Sequence, residues 1–350
     1  MVGILIGTYT QRLAHVNGHA RGIMQAKLER GALSDVVLAA PMENPSWIIA
    51  HPTKPVVYAV SQVSPEGSIV AFADEAKGLR PVVVDSAGGA APTHAVLHPS
   101  GRFLVGTTYL DATVSVWELD QEGMPHDRTA FIHHAGHQAD FLYQNTAHVQ
   151  HVSFDPVTGD LIVVDTGLGE IRWYLFGDGG ELTFLPEKTC AMGAAGPRQL
   201  LFHPSGNYAF VVNEFDSTLD VLRRESQGPF TIVGTIPTRS PGCVGLNFPA
   251  AMCTADDGAT ILVTNRGDDT VSVFSFDAQK GTVKLESFVA SGGACPRDVV
   301  VSPDGNWVLV ACQDSDLISV FAFDHDSRTL FPVREVSVPT PACLLIREQS

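Results

Sequence analysis

The chain has 350 residues, 45% of them hydrophobic and 17% charged, with a formal net charge of −16. That acidity excludes a nucleic-acid binder, which needs a basic face against phosphates. It still allows a small anionic ligand, because a few local arginines outweigh a distant field. Residues 1–9 carry no basic run ahead of an apolar one, and no apolar stretch approaches the ~20 residues of a membrane span. The expectation is a cytoplasmic protein without a membrane partner. The six cysteines, at 190, 243, 253, 295, 312 and 343, form no C-x-x-C pair and read as free thiols in a reducing compartment.

Three β-prone runs open the chain, at 2–9, 22–29 and 33–39. A longer unit then repeats. Pro52, Pro99, Pro156, Pro204 and Pro303, with Asp256 standing in once, each occupy a turn between two apolar runs; Pro204-Ser205-Gly206-Asn207 is the clearest. Seven residues before them stand Pro45, Pro92, Val149, Pro197, Pro249 and Pro296, and ten after stand Gln62, Tyr109, Thr166, Glu214, Arg266 and Gln313. A third strand (113–119, 270–276) and a looser fourth (230–236) complete the unit. The anchors are 47, 57, 48, 52 and 47 residues apart. This period, with four strands per unit, signals propeller blades. Residues 341–346, 45 beyond Pro296, read as a seventh first strand whose partners are the three runs at the N-terminus. The predicted fold is therefore all-β: one seven-bladed propeller over residues 1–350, its ring closed by N- and C-terminal strands in one blade. Closure removes the exposed sheet edges.

The longest step contains an apparent insertion at 125–146, with His133, His134, His137 and Asp140. Histidines this close could hold zinc. No carboxylate or cysteine spacing supports a site, so a solvated loop is expected, with no metal and no other cofactor.

In a blade the first strand lines the axis and the second returns beside it. The start of the first and the end of the second therefore share one face of the disc. This places Arg198 and Glu214 at one rim, joined by Arg266, Tyr109, Gln313 and Gln62 from other blades, by Arg297 at the offset of Arg198, and by Tyr9 from the closing blade. His148 stands just before its blade. Arginine forks suit carboxylate or phosphate, and a carboxylate or histidine nearby can act as general base. Simpler roles exist: Arg198 can merely pair with Glu214, Arg266 can bridge to Asp268 in its turn, and His148 can be a hydrogen-bonded structural residue. No serine or cysteine lies in a nucleophile-elbow pattern.

Ile6-Gly7-Thr8-Tyr9-Thr10, Asn44-Pro45-Ser46-Trp47, Gly196-Pro197-Arg198, Val212-Asn213-Glu214, Asn265-Arg266-Gly267 and Pro296-Arg297-Asp298, taken in order, resemble the lactonase family of seven-bladed propellers. That family includes propeller-type 6-phosphogluconolactonases and carboxy-cis,cis-muconate cyclases. The resemblance implies a metal-free catalytic set of His148, Arg198, Glu214 and Arg266; Arg297, Tyr109, Tyr9 and Gln313 are the expected substrate-binding residues. The family's His-x-His pair is here His148 and Gln150. His151 is one residue out of phase, so on a regular strand it faces the opposite side. Histidine after Gly-Pro-Arg is here Gln199, and Asp-Leu-Gly is Asp165-Thr166-Gly167.

Two classes of function follow. One is a lactonase acting on a sugar-acid or related anionic lactone, with a muconate-type cyclase as a variant. The other is a non-catalytic propeller that binds proteins or polymers. The rim column differs from blade to blade, which favours the enzyme, because a purely structural position should repeat. Oligomeric state leaves no mark on the sequence.

Overall fold

The computed structural model describes residues 1–76, 78–137 and 146–347, with Asp35 described by its backbone alone. Seven antiparallel sheets stand around an axis, six of them following the strand order of the sequence outward from the centre. The innermost strands are Pro45–Ala50, Pro92–Leu97, Val149–Phe154, Pro197–Phe202, Phe248–Ala255, Pro296–Val301 and Pro341–Arg347. The last of these pairs with Val2–Thr8, which pairs with Gly22–Glu29 and then Ala32–Pro41. The first and last strands thus close the ring, as the repeat predicts. Among the described residues no helix is long and apolar enough to cross a membrane.

Burial follows from position in the blade. Second strands such as Val56–Ser61 and Phe103–Thr108 are buried on both faces and read as near-continuous apolar runs. An outer strand such as Thr231–Pro237 is largely exposed. The core lies between blades: Val105, Val114 and Val116 of one pack on Val149, Val152 and Val163 of the next. Removing this apolar area from water is the main favourable term, at about 25 cal/mol per Å². The six cysteines are free.

The first part of the apparent insertion is blade. Pro125–His133 is the fourth strand of its sheet. His134 is buried, with Nδ1 2.8 Å from Asp165 Oδ2 and Nε2 2.9 Å from Tyr174 Oη. Because the carboxylate only accepts, Nδ1 carries the proton and Nε2 accepts from the tyrosine. The expectation of a solvated histidine loop is corrected at His134, which joins two blades. Asp140 lies outside the described residues. Among the described residues no metal-binding cluster of His, Cys, Asp and Glu occurs.

Candidate active site

The repeat builds the site as stacked rings. The upper ring holds the residues ten after each turn proline. The backbone N–H of Gln62, Tyr109, Thr166, Glu214 and Gln313 donates to the carbonyl just before the inner strand, at Asn44, Ala91, His148, Gly196 and Cys295, over 2.7–3.0 Å. Tyr9 does the same with Thr340 at 3.0 Å, and Arg266 pairs with Phe248 in the ladder. At four of these corners a non-glycine residue adopts a left-handed backbone: Asn44 (φ 40°), Ala91 (55°), Cys295 (57°) and Thr340 (38°). Such a conformation costs on the order of 1 kcal/mol or more. The repeated backbone bond holds it and fixes where each rim side chain begins.

The second ring comes from a β-bulge. Inner strands slip register by one residue near their start, between Pro92 and His94, Val149 and His151, Pro197 and Gln199, and Pro296 and Asp298. A bulge sets two residues opposite one, so two consecutive side chains reach the channel. Arg198 and Gln199, Arg297 and Asp298, and Gln150 and His151 line it together. This corrects the expectation that His151 faces away: strand alternation fails at the bulge. The His151 ring lies 4.1 Å from His94, which lies 4.2 Å from Trp47.

The lower ring ties blades together. Each side chain bonds the backbone of the next inner strand: Trp47 Nε1 to Ala95 O (3.0 Å), Val152 N to His94 Nδ1 (3.4 Å), Met252 N to Gln199 Oε1 (2.7 Å) and Leu344 N to Asp298 Oδ2 (2.7 Å). Sequence reasoning missed this ring, because only the bulge brings it to the axis. The channel here encloses about 40 Å³, room for about three waters at 10–15 Å³ each.

Arg198 belongs both to this channel and to a charged cluster. Glu214 Oε1 is 2.6 Å from Arg266 Nη2, and Glu214 Oε2 is 3.5 Å from Arg198 Nε. Arg266 Nε also donates to Phe248 O (2.9 Å), and Arg198 Nη1 donates to Ala250 O. Asp268 is paired instead with Arg239 (2.7 Å), so Arg266 is not a turn bridge. Burial pushes the Glu214 carboxyl up, but the two guanidiniums and Arg297 outweigh it and hold it below its usual value. Burial, with the charges of Arg266 and Arg297, lowers Arg198 to about 10 despite Glu214.

Arg297 differs from the other two. Among the described residues it has no carboxylate partner; its guanidinium lies 5.1 Å over the Tyr9 ring. Tyr9 is fully buried, its hydroxyl donates to Gln62 Oε1 at 2.7 Å, and burial raises its pKa against the pull of Arg297, Arg198 and Arg266.

The remaining expected residues sit farther out on the rim. His148 stacks on Tyr109 (4.5 Å) and its Nδ1 lies 2.9 Å from Tyr109 O. A carbonyl only accepts, so in the neutral ring Nε2 is the acceptor, 3.2 Å from Thr146 Oγ1. These contacts bind His148 to Tyr109 rather than to the arginine cluster. Gln313 is buried and turned toward a short hairpin, Arg12–Leu13 with Val16–Asn17; its Nε2 donates to Asp314 Oδ1 (2.8 Å) and His15 O (3.5 Å). His15 stands on that hairpin, edge-on to Tyr9 at 5.4 Å. Nothing in the repeat marks it, because the hairpin occurs in one blade only.

The family model described as "Lactonase, 7-bladed beta-propeller" matches residues 3–346. The chain belongs to this family. A 6-phosphogluconolactonase of Bacillus subtilis (strain 168) is 26% identical over 303 residues, covering 84% of this chain and 83% of the relative. One from Formosa agariphila is 25% identical over 307 residues, covering 85% and 86%. A crystal structure of a protein from Lactobacillus plantarum is 28% identical with a TM-score of 0.91, covering 99% of this chain and all of that one. The structure of a Pseudomonas aeruginosa periplasmic gluconolactonase, at 24% identity and a TM-score of 0.90 over 99% of each chain, shares the fold.

Proposed function

We propose that this lactonase-family propeller hydrolyses a small anionic lactone, with 6-phosphogluconolactone as the first candidate. One observation carries the reading. Three arginines face one funnel, two ion-paired with Glu214 and the third, Arg297, without a carboxylate partner among the described residues. An unpaired guanidinium in a partly buried site is a receptor for an anion, and its planar fork suits phosphate or carboxylate alike. Its seat on the π face of Tyr9 holds it in place without neutralising it.

Arg297 would take the substrate's anionic group. Arg198 and Arg266, preset by Glu214, would face the lactone carbonyl and stabilise the oxyanion that forms as water adds. Such preorganised donors are worth roughly 3 kcal/mol each. Glu214 would align Arg266, balance the charge of both guanidiniums and orient the water; two cations beside it make it a weak base. His148 and Tyr109 would form one wall, and Gln313 the wall beneath the hairpin. Water adds to the carbonyl carbon, the ring C–O bond breaks, and the hydroxy acid ionises, releasing one proton per turnover.

That proton is the assay. A pH-indicator panel of 6-phosphogluconolactone, gluconolactone and muconolactones, measured over the uncatalysed rate, should show acceleration of the phosphorylated lactone well above neutral gluconolactone. Equal rates on charged and neutral lactones would remove the role given to Arg297. Acceleration of none would overturn the reading.

A further inference from the structure

We propose that His15, held over the funnel by the Arg12–Leu13/Val16–Asn17 hairpin, is a further catalytic residue, which takes the proton from the attacking water once a bound anion has neutralised Arg297. The proton-transfer role rests on the lactonase reading; the coupling of His15 to an anion does not.

The placement comes first. Two titratable groups flank the Tyr9 ring: the Arg297 guanidinium at 5.1 Å over its face and the His15 imidazole at 5.4 Å, edge-on. The hairpin is anchored from the opposite side by Gln313 Nε2 on His15 O (3.5 Å). His15 also borders a cleft of about 360 Å³ with Arg12, His19, Asp314 and Asp316. A cleft of that size admits a sugar-sized ligand. None of the cluster's three arginines lines that cleft, so His15 meets the cluster through the Tyr9 ring, with the cleft on its other side.

The charges around it give it a switch. Its outer side is exposed, but partial burial and then the charges of Arg297 and Arg266 lower its pKa to about 4, against the upward pull of Glu214. Of the other groups near it, His19 Nε2 is 3.3 Å from Asp316, and Asp314 accepts from Gln313. Without ligand the imidazole is neutral and weakly basic at neutral pH. A substrate anion on Arg297 cancels the larger of the two charges behind that depression, while burial, its first cause, remains. His15 should then move back toward the ordinary histidine range, where a base is most effective near neutrality. The enzyme would gain its base only when substrate is present.

The step balances simply. As the water oxygen bonds the lactone carbonyl carbon, one water O–H bond breaks and its proton passes to an imidazole nitrogen. When the ring C–O bond breaks, that proton passes to the departing alkoxide. His15 ends neutral.

The test uses NMR of the imidazole carbons of the full chain, with His15 assigned by the signal missing in His15→Gln. In the free protein His15 should titrate far below the ordinary histidine value of 6.5. Saturating 6-phosphogluconate or inorganic phosphate should raise it by at least one pH unit. Arg297→Met should raise it without ligand and abolish the anion's effect. His15→Gln should lower kcat at least ~10-fold, remove the acid limb of its pH profile and leave KM nearly unchanged. An anion-insensitive His15 overturns the proposal even if the protein is a lactonase. A normal shift with full turnover in His15→Gln overturns the catalytic role. A normal shift in a protein that hydrolyses no lactone sinks the reaction while leaving the coupling, so the two failures are distinct.

Discussion

Glu214 is held by two guanidinium groups at once, Arg266 Nη2 at 2.6 Å on one oxygen and Arg198 Nε at 3.5 Å on the other. The carboxylate hydrogen-bonds Arg266 and faces Arg198 as an ion pair without a hydrogen bond, so it orients the first and balances the charge of both. Glu214→Gln keeps the shape and removes the charge. Turnover should fall at least ~10²-fold, because misaligned oxyanion donors cost about that much. The affinity for an anionic substrate or product should rise, because two arginines lose their counter-charge. Lower kcat with lower KM, read from steady-state kinetics, separates this from a purely structural ion pair. For a structural pair, loss of one partner would chiefly lower the melting temperature.

Arg297 should behave in the opposite way. Among the described residues it makes no ion pair that its loss would break, so Arg297→Met should fold with a nearly unchanged melting temperature. Charge-assisted hydrogen bonds contribute about 1.5–3 kcal/mol. KM for a phosphorylated lactone should therefore rise at least ~10-fold with kcat reduced less. Arg297→Lys should recover part of it, keeping the charge without the fork. An unchanged KM would place the substrate's anion elsewhere.

What the sequence showed of this site, and what it hid, divides along one physical line. The anchors Pro45, Pro92, Pro197 and Pro296 and the turns after them are local, so spacing alone gave the blades, the closure and the meeting of Arg198, Glu214 and Arg266. The bulge at the start of each inner strand is a matter of pairing between strands. Alternation therefore sent His151 the wrong way and hid the ring of Trp47, His94, Gln199 and Asp298. His134 was unreadable because its partners, Asp165 and Tyr174, come from another blade. His15 belongs to no repeat, and the role proposed for it depends on charges brought from two other blades.

The buried histidines of the channel predict an acid-sensitive fold. Burial and the charge of Arg198 lower His151 to about 3 from an ordinary 6.5, and burial with His151 and Arg198 lowers His94 well below that value. The unfolded chain binds these protons first. The stabilisation is full above pH ~6.5 and is lost as pH falls toward 3. Asp298 acts in the other direction: burial raises it to about 6 from 3.8, so its contribution is full below ~3.8 and is lost as pH rises through 6. Glu214, held low by its arginines, matters only below its ordinary 4.5. His151→Phe, which removes an unbonded buried Nδ1, should therefore flatten stability against pH between 6.5 and 4.5 by up to about 1.4 kcal/mol per unit. Urea titrations at four or five pH values measure the slope, and an unaltered slope would mean that His151 is charged in the native channel.

Tyr9 offers a way to separate support from binding. Its hydroxyl donates to Gln62 Oε1 across two neighbouring blades, and both residues are buried. Tyr9→Phe leaves that oxygen without its partner, which costs about 1–3 kcal/mol, or roughly 1–4 °C in a chain of this size. The ring survives, so Arg297 keeps its seat and KM should stay within about two-fold. Tyr9→Leu removes hydroxyl and ring together. It should match the phenylalanine variant's loss of stability or exceed it, and should also raise KM several-fold, because Arg297 and His15 both rest on the ring. Thermal unfolding and steady-state kinetics on the two variants test the division. Equal KM in both would mean that the aromatic face does not position the cation, and that Arg297 is held by the bulge of its strand alone.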